Sequence, residues 1–125
     1  MAKKKEDTEA EFSGPPGLSK YAKDASKPIK VIVFKAAWCG ACTALAKAKT
    51  LEKLVQAYPA DAELITIDVD KDEETADEYE VQSMPAIFFE DKEGWILEEQ
   101  SGSADYATFE KLFLKAKIKL KDGAR

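Results

Sequence analysis

The sequence predicts an α/β domain with a mixed central β-sheet flanked by helices on both faces. Two apolar runs, residues 29–34 and 64–69, are separated by a stretch of helical periodicity. That strand–helix–strand order favours parallel pairing through a crossover. Residues 86–89 and 95–97 then flank Glu90-Asp91-Lys92-Glu93-Gly94, a hairpin signal that adds antiparallel strands. A last amphipathic segment, marked by Tyr106, Phe109, Leu112, Phe113, Ala116 and Leu120, supplies a C-terminal helix to cover the sheet.

Taken in order, residues 1–11 are polar and charged, and Ser13-Gly14-Pro15-Pro16-Gly17 breaks regular structure, so 1–17 is expected to be a flexible tail. Leu18, Tyr21, Ala22 and Ala25 share one face of a short helical pattern, and Pro28 opens the first strand. From Cys42, the positions Leu45, Ala48, Leu51, Leu54, Val55 and Tyr58 predict one amphipathic helix of about four turns, ending before Pro59. Asp70 or Asp72 can cap a short acidic helix through Tyr79. The domain is expected over 18–121, with a short tail at 122–125.

Composition narrows the function. At 125 residues with 45% hydrophobic side chains, the chain suits one domain with an ordinary core. A formal net charge of −5 argues against nucleic acid as the main partner. No apolar run approaches the roughly 20 residues needed to span a bilayer. The basic start Lys3-Lys4-Lys5 has no apolar stretch behind it, so no secretory signal is expected and a cytoplasmic location is.

The chemistry centres on Trp38-Cys39-Gly40-Ala41-Cys42, which holds the chain's 2 cysteines. Two are too few to staple a secreted scaffold, so packing must hold the fold. A strand delivers Cys39 to a helix N-terminus, where free N–H groups and the helix dipole favour a thiolate. Cys42 lies one turn further on, within reach of a mixed disulfide formed at Cys39. A buried structural cysteine is the plainer alternative. Zinc would need about four ligands, and the chain has no histidine to complete the set, although four thiolates bridged by a dimer would suffice. Asp68-Val69-Asp70-Lys71-Asp72 hints at a calcium loop, but Glu73 and Tyr79 stand where glycine and glutamate are required. The 8 acidic residues between Asp68 and Glu80 suit a solvated helix, with selection of basic partners as a lesser alternative.

Together these landmarks resemble the thioredoxin family. Trp38-Cys39-Gly40-Ala41-Cys42 is similar to the family's Trp-Cys-Gly-Pro-Cys, with Ala41 in place of proline. Ile67-Asp68-Val69-Asp70 resembles the family's third-strand ending, and Met84-Pro85-Ala86 falls where thioredoxins carry a cis-proline beside the active site. Gly94 matches the hairpin glycine and Gly102 the glycine of the substrate groove, so the similarity runs over roughly residues 18–120. Three positions depart from the pattern. Val33 replaces a buried aspartate, Thr66 its lysine partner, and Lys47 a helix proline.

The resemblance implies a thioredoxin fold and a protein-disulfide oxidoreductase. Cys39 would be the nucleophile and Cys42 the resolving thiol, with Trp38, Gly40, Ala41, Met84, Pro85 and Gly102 meeting the substrate. It implies protein disulfide substrates, a thioredoxin reductase as electron donor, a monomer, and neither cofactor nor metal. Pro85 is expected to be cis, leaving the preceding backbone free to pair with an extended substrate. Trp95 is expected to pack. Lys35, four residues before Cys39, either lowers its thiol pKa or simply reaches solvent. Without an aspartate at position 33, the resolving step is expected to be slower or confined to a narrower pH range. Ala41 should make the pair somewhat more oxidising. The competing function is a thioredoxin-like binding module or specialised redox factor with weak general reductase activity.

Overall fold

In the computed structural model, which describes Tyr21 and residues 26–123, the chain runs β1 (Ile29–Lys35), α1 (Gly40–Ala48), α2 (Thr50–Ala57), β2 (Ala62–Asp68), α3 (Glu73–Glu78), β3 (Ala86–Asp91), β4 (Ile96–Ser101), α4 (Tyr106–Asp122). The helical pattern expected around Leu18 to Ala25 lies outside the described residues, apart from Tyr21. Strand order across the sheet is β2-β1-β3-β4. β1 pairs parallel with β2 and antiparallel with β3, and β3 pairs antiparallel with β4, giving the expected mixed sheet. Being central and covered on both faces, β1 is buried from Ile29 through Phe34, which is why it reads as a continuous apolar run.

Alternation along β1 divides the core into two layers. Ile29, Val31 and Val33 point to the face covered by α2 and α4, where Leu51, Leu54, Phe109, Phe113 and Ala116 pack. Ile32 and Phe34 point to the other face, with Ala76 and Tyr79 from the α3 segment. Of the two candidate caps for α3, Asp72 is the one used, accepting from the Thr75 amide at 3.1 Å. Asp105 caps α4 in the same way, and Gly123 closes it at φ 71°.

The single long helix expected after Cys42 is instead two, broken at Lys49 in the left-handed conformation (φ 56°). The apolar pattern contains the reason. Leu45, Ala48, Leu51 and Leu54 follow one another in steps of three, and three such steps drift the row about 180° around a straight helix. The break resets the phase, so Leu45, Leu51 and Leu54 all reach the same core while Ala48 stays exposed.

The hairpin also differs from expectation. Glu90 and Asp91 are strand residues, not part of the turn, and β4 runs on to Ser101. A register shift between Phe89 and Glu90 marks a bulge. Glu90 is fully buried on the α3 face and accepts a hydrogen bond from the Tyr79 hydroxyl at 2.7 Å. Its cross-strand neighbour Lys30 reaches the other way, to Glu63 at 2.8 Å.

Candidate active site

The end of β1 feeds a tight turn, in which the Cys39 amide donates to the Ala36 carbonyl at 3.1 Å. Cys39 is thereby the N-cap of α1, and its Sγ accepts from the Cys42 amide at 3.1 Å. A helix N-terminus presents amides without intrahelical partners and the positive end of the dipole. A sulfur in that position is stabilised most when it is an anion. Cys39 and Cys42 are joined as a disulfide with their Cα atoms 5.2 Å apart, so the structure is that of the oxidised pair. Ala36, Cys39 and Cys42 form a small buried cluster against which Val69 and Met84 pack.

The Met84–Pro85 bond is cis, as expected. The Pro85 carbonyl accepts from the Gly102 amide at 2.8 Å, which fastens the end of β4 beside the proline. Gly102 adopts φ 92°, a conformation that strongly favours glycine, although a Cβ there would meet nothing within 4 Å. Gly40 and Ala41 are exposed in the first turn of α1. Trp38 is 70% exposed, yet its indole N–H donates to Asp70 Oδ2 at 2.9 Å, which fixes the ring beside the cysteines. In the sequence Asp70 reads as a candidate helix cap, as part of an acidic face and as the end of the family-like segment Ile67-Asp68-Val69-Asp70, but not as a partner of Trp38. Its pairing across 32 residues leaves no sequence signal.

Lys35 fits the expectation that it reaches solvent. It is part-exposed, and its ammonium lies 3.8 Å from Asp68 Oδ2, which offsets much of its field. The three departing positions, Val33, Lys47 and Thr66, all line one cavity of about 360 Å³ that also reaches Cys42 and Pro85. Trp95 is half-buried in the hairpin, where its amide donates to Asp91 Oδ1 at 2.9 Å. Among the described residues, no group of three or more His, Cys, Asp or Glu is placed to hold a metal ion. No described helix is long and apolar enough to cross a membrane.

The thioredoxin family model matches residues 18–115, most of the chain. The chain belongs to the thioredoxin family. It is 41% identical to a Staphylococcus epidermidis thioredoxin over 66 residues, 52% of this chain and 62% of that one. It is 38% identical to thioredoxin-1 of Drosophila melanogaster over 65 residues, 52% of this chain and 59% of that one. The curated thioredoxins first matched are thus spanned over about three-fifths of their length. Among solved structures, the germline-specific Drosophila thioredoxin Deadhead superposes with a TM-score of 0.68 at 30% identity, covering 86% of this chain and 98% of that one. Oxidised mitochondrial thioredoxin 3 of Saccharomyces cerevisiae gives 0.60 at 32% identity, covering 71% and 80%. The thioredoxin fold expected from the sequence is therefore the fold observed.

Proposed function

We propose that this thioredoxin is a protein-disulfide reductase acting by dithiol–disulfide exchange. The observation that carries the proposal is the Cys39 sulfur capping α1, hydrogen-bonded to the amide of the residue that shares its disulfide. In the reduced protein the Cys39 thiolate attacks one sulfur of a substrate disulfide. The substrate S–S bond breaks, and its other sulfur leaves as a thiolate. Cys42 then loses its proton and attacks Cys39. The second substrate thiol is released, and two electrons have passed from the protein to the substrate.

Trp38, Gly40, Ala41, Met84, Pro85 and Gly102 form the substrate face in this proposal. The cis Met84–Pro85 bond and the Gly102 tie support it by presenting backbone beside the disulfide. The oxidised pair would be returned to the dithiol by a thioredoxin reductase, so the protein carries electrons as a monomer. A reducing compartment such as the cytoplasm is where a dithiol of this kind persists. The second reading, a specialised redox factor with weak general activity, draws on the apolar Val33 and the cavity beside Cys42.

Turnover of insulin disulfides separates the two. Robust reduction, abolished by Cys39→Ser, is expected, with Cys42→Ser accumulating mixed disulfides on Cys39. A folded dithiol protein without turnover would sink the general-reductase proposal.

A further inference from the structure

Exchange through this site, as proposed above, demands a proton acceptor for Cys42. In the oxidised pair Cys42 is 4% exposed, packed in the cluster with Ala36 and Cys39. A thiol must be ionised to attack, and apolar burial opposes ionisation. None of the side chains described as packing with Cys42 is a base: Ala36, Cys39, Val69 and Met84 form its cluster, and Thr43 spends its hydroxyl proton on the Cys39 carbonyl at 3.2 Å.

Cys42 does, however, open onto the cavity of about 360 Å³ between the α1–α2 break and β2. That is many times the roughly 10–15 Å³ one water needs, and hydroxyl and charged groups line it. The charged groups facing it are Lys35 of β1, Lys47 of α1 and Glu52 of α2, while β2 contributes only Leu64 and Thr66. A lysine ammonium donates hydrogen bonds and favours a thiolate, but it has no lone pair to accept the proton. Threonine hydroxyls can pass a proton but not keep it. Among the described residues, Glu52 is the one carboxylate on the cavity wall. It sits in the first turn of α2, whose separate start at Lys49 was not foreseen from the sequence.

We propose that Glu52 is the proton acceptor for Cys42, acting through water in this cavity. When Cys42 attacks the mixed disulfide, its proton moves along the water to the Glu52 carboxylate. The bond between Cys39 and the substrate sulfur breaks, and the departing thiolate takes its proton from solvent, to which Glu52 returns its own. Electrons go to the substrate, and no further oxidant or reductant takes part. Glu52 touches no reacting atom, so it is a relay residue.

Stopped-flow mixing of the reduced protein with an aromatic disulfide tests this. The first thiolate released reports Cys39 attack and the second reports resolution by Cys42. In Glu52→Gln the second phase should slow about tenfold near pH 6.5, and the deficit should shrink as pH rises and hydroxide takes over as the proton acceptor. The first phase should change less than about twofold. Thr66→Asp, at an exposed position on the same cavity wall, should restore the second phase in the Glu52→Gln background. Superimposable pH profiles for wild type and Glu52→Gln would overturn the relay while leaving the reductase proposal intact. Equal slowing of both phases, or no rescue by Thr66→Asp, would also overturn it by making the effect structural. Absence of a second phase in wild type would instead overturn the exchange mechanism itself.

Discussion

Replacing Glu90 by glutamine should invert the stability ranking of the two proteins between about pH 5 and about pH 8.5. Glu90 is fully buried on β3, with Tyr79 donating to one carboxylate oxygen and the other buried without a hydrogen-bond partner among the described residues. Burial pushes its pKa up to about 8, reinforced by the neighbouring Asp91 and opposed by the Tyr79 hydrogen bond. Lys30 faces it across the strands, but its ammonium is directed to Glu63. A carboxyl with a raised folded-state pKa favours the folded protein while protonated. That contribution is complete below the unfolded value of 4.5 and is lost as pH rises toward about 8. At about 1.4 kcal/mol per unit, the loss across the window is roughly 5 kcal/mol, a large part of the stability of an ordinary domain. Glutamine keeps the acceptor for Tyr79 but buries an amide without partners, at about 1–3 kcal/mol. Glu90→Gln should therefore be less stable by about 1–3 kcal/mol near pH 5 and more stable by about 2–4 kcal/mol near pH 8.5. Urea unfolding of both proteins across this range, with the disulfide kept oxidised, measures the difference. A constant offset between the two curves would refute the reasoning.

Val33→Asp places a carboxylate in the cavity beside Cys42 and should accelerate resolution or shift its pH profile, at about 1–3 kcal/mol of stability. Stopped-flow phases and denaturation midpoints report the two effects, and unchanged kinetics across pH would mean that position 33 does not limit the reaction. Lys49→Gly should stabilise by about 0.5–1 kcal/mol. It relieves a left-handed lysine at φ 56° whose strain exceeds the added entropy of glycine, and a fall in Tm would contradict this.

The mixed sheet and the helices that cover it follow from local patterning in the sequence, whereas the strand order comes from the tertiary structure. Strand periodicity, the crossover length and the turn before Gly94 each restrict the backbone within a few residues of themselves. The two cysteines, three positions apart after a strand, likewise stood out as a pair before any contact was visible. Even the helix break was latent in the drift of Leu45, Ala48, Leu51 and Leu54, although only the position of the core says which turn must yield. The remainder belongs to tertiary structure, because it pairs residues far apart in the chain. Trp38 finds Asp70 and Pro85 finds Gly102 only after the strands are in register. Glu90 looks like a turn residue until the bulge carries it under Tyr79. Glu52 looks like surface charge until the break brings α2 to the wall of the cavity that Cys42 shares. The sequence by itself singled out the two sulfurs that pair. Their surroundings, and so the fate of the proton, depend on side chains brought together through space.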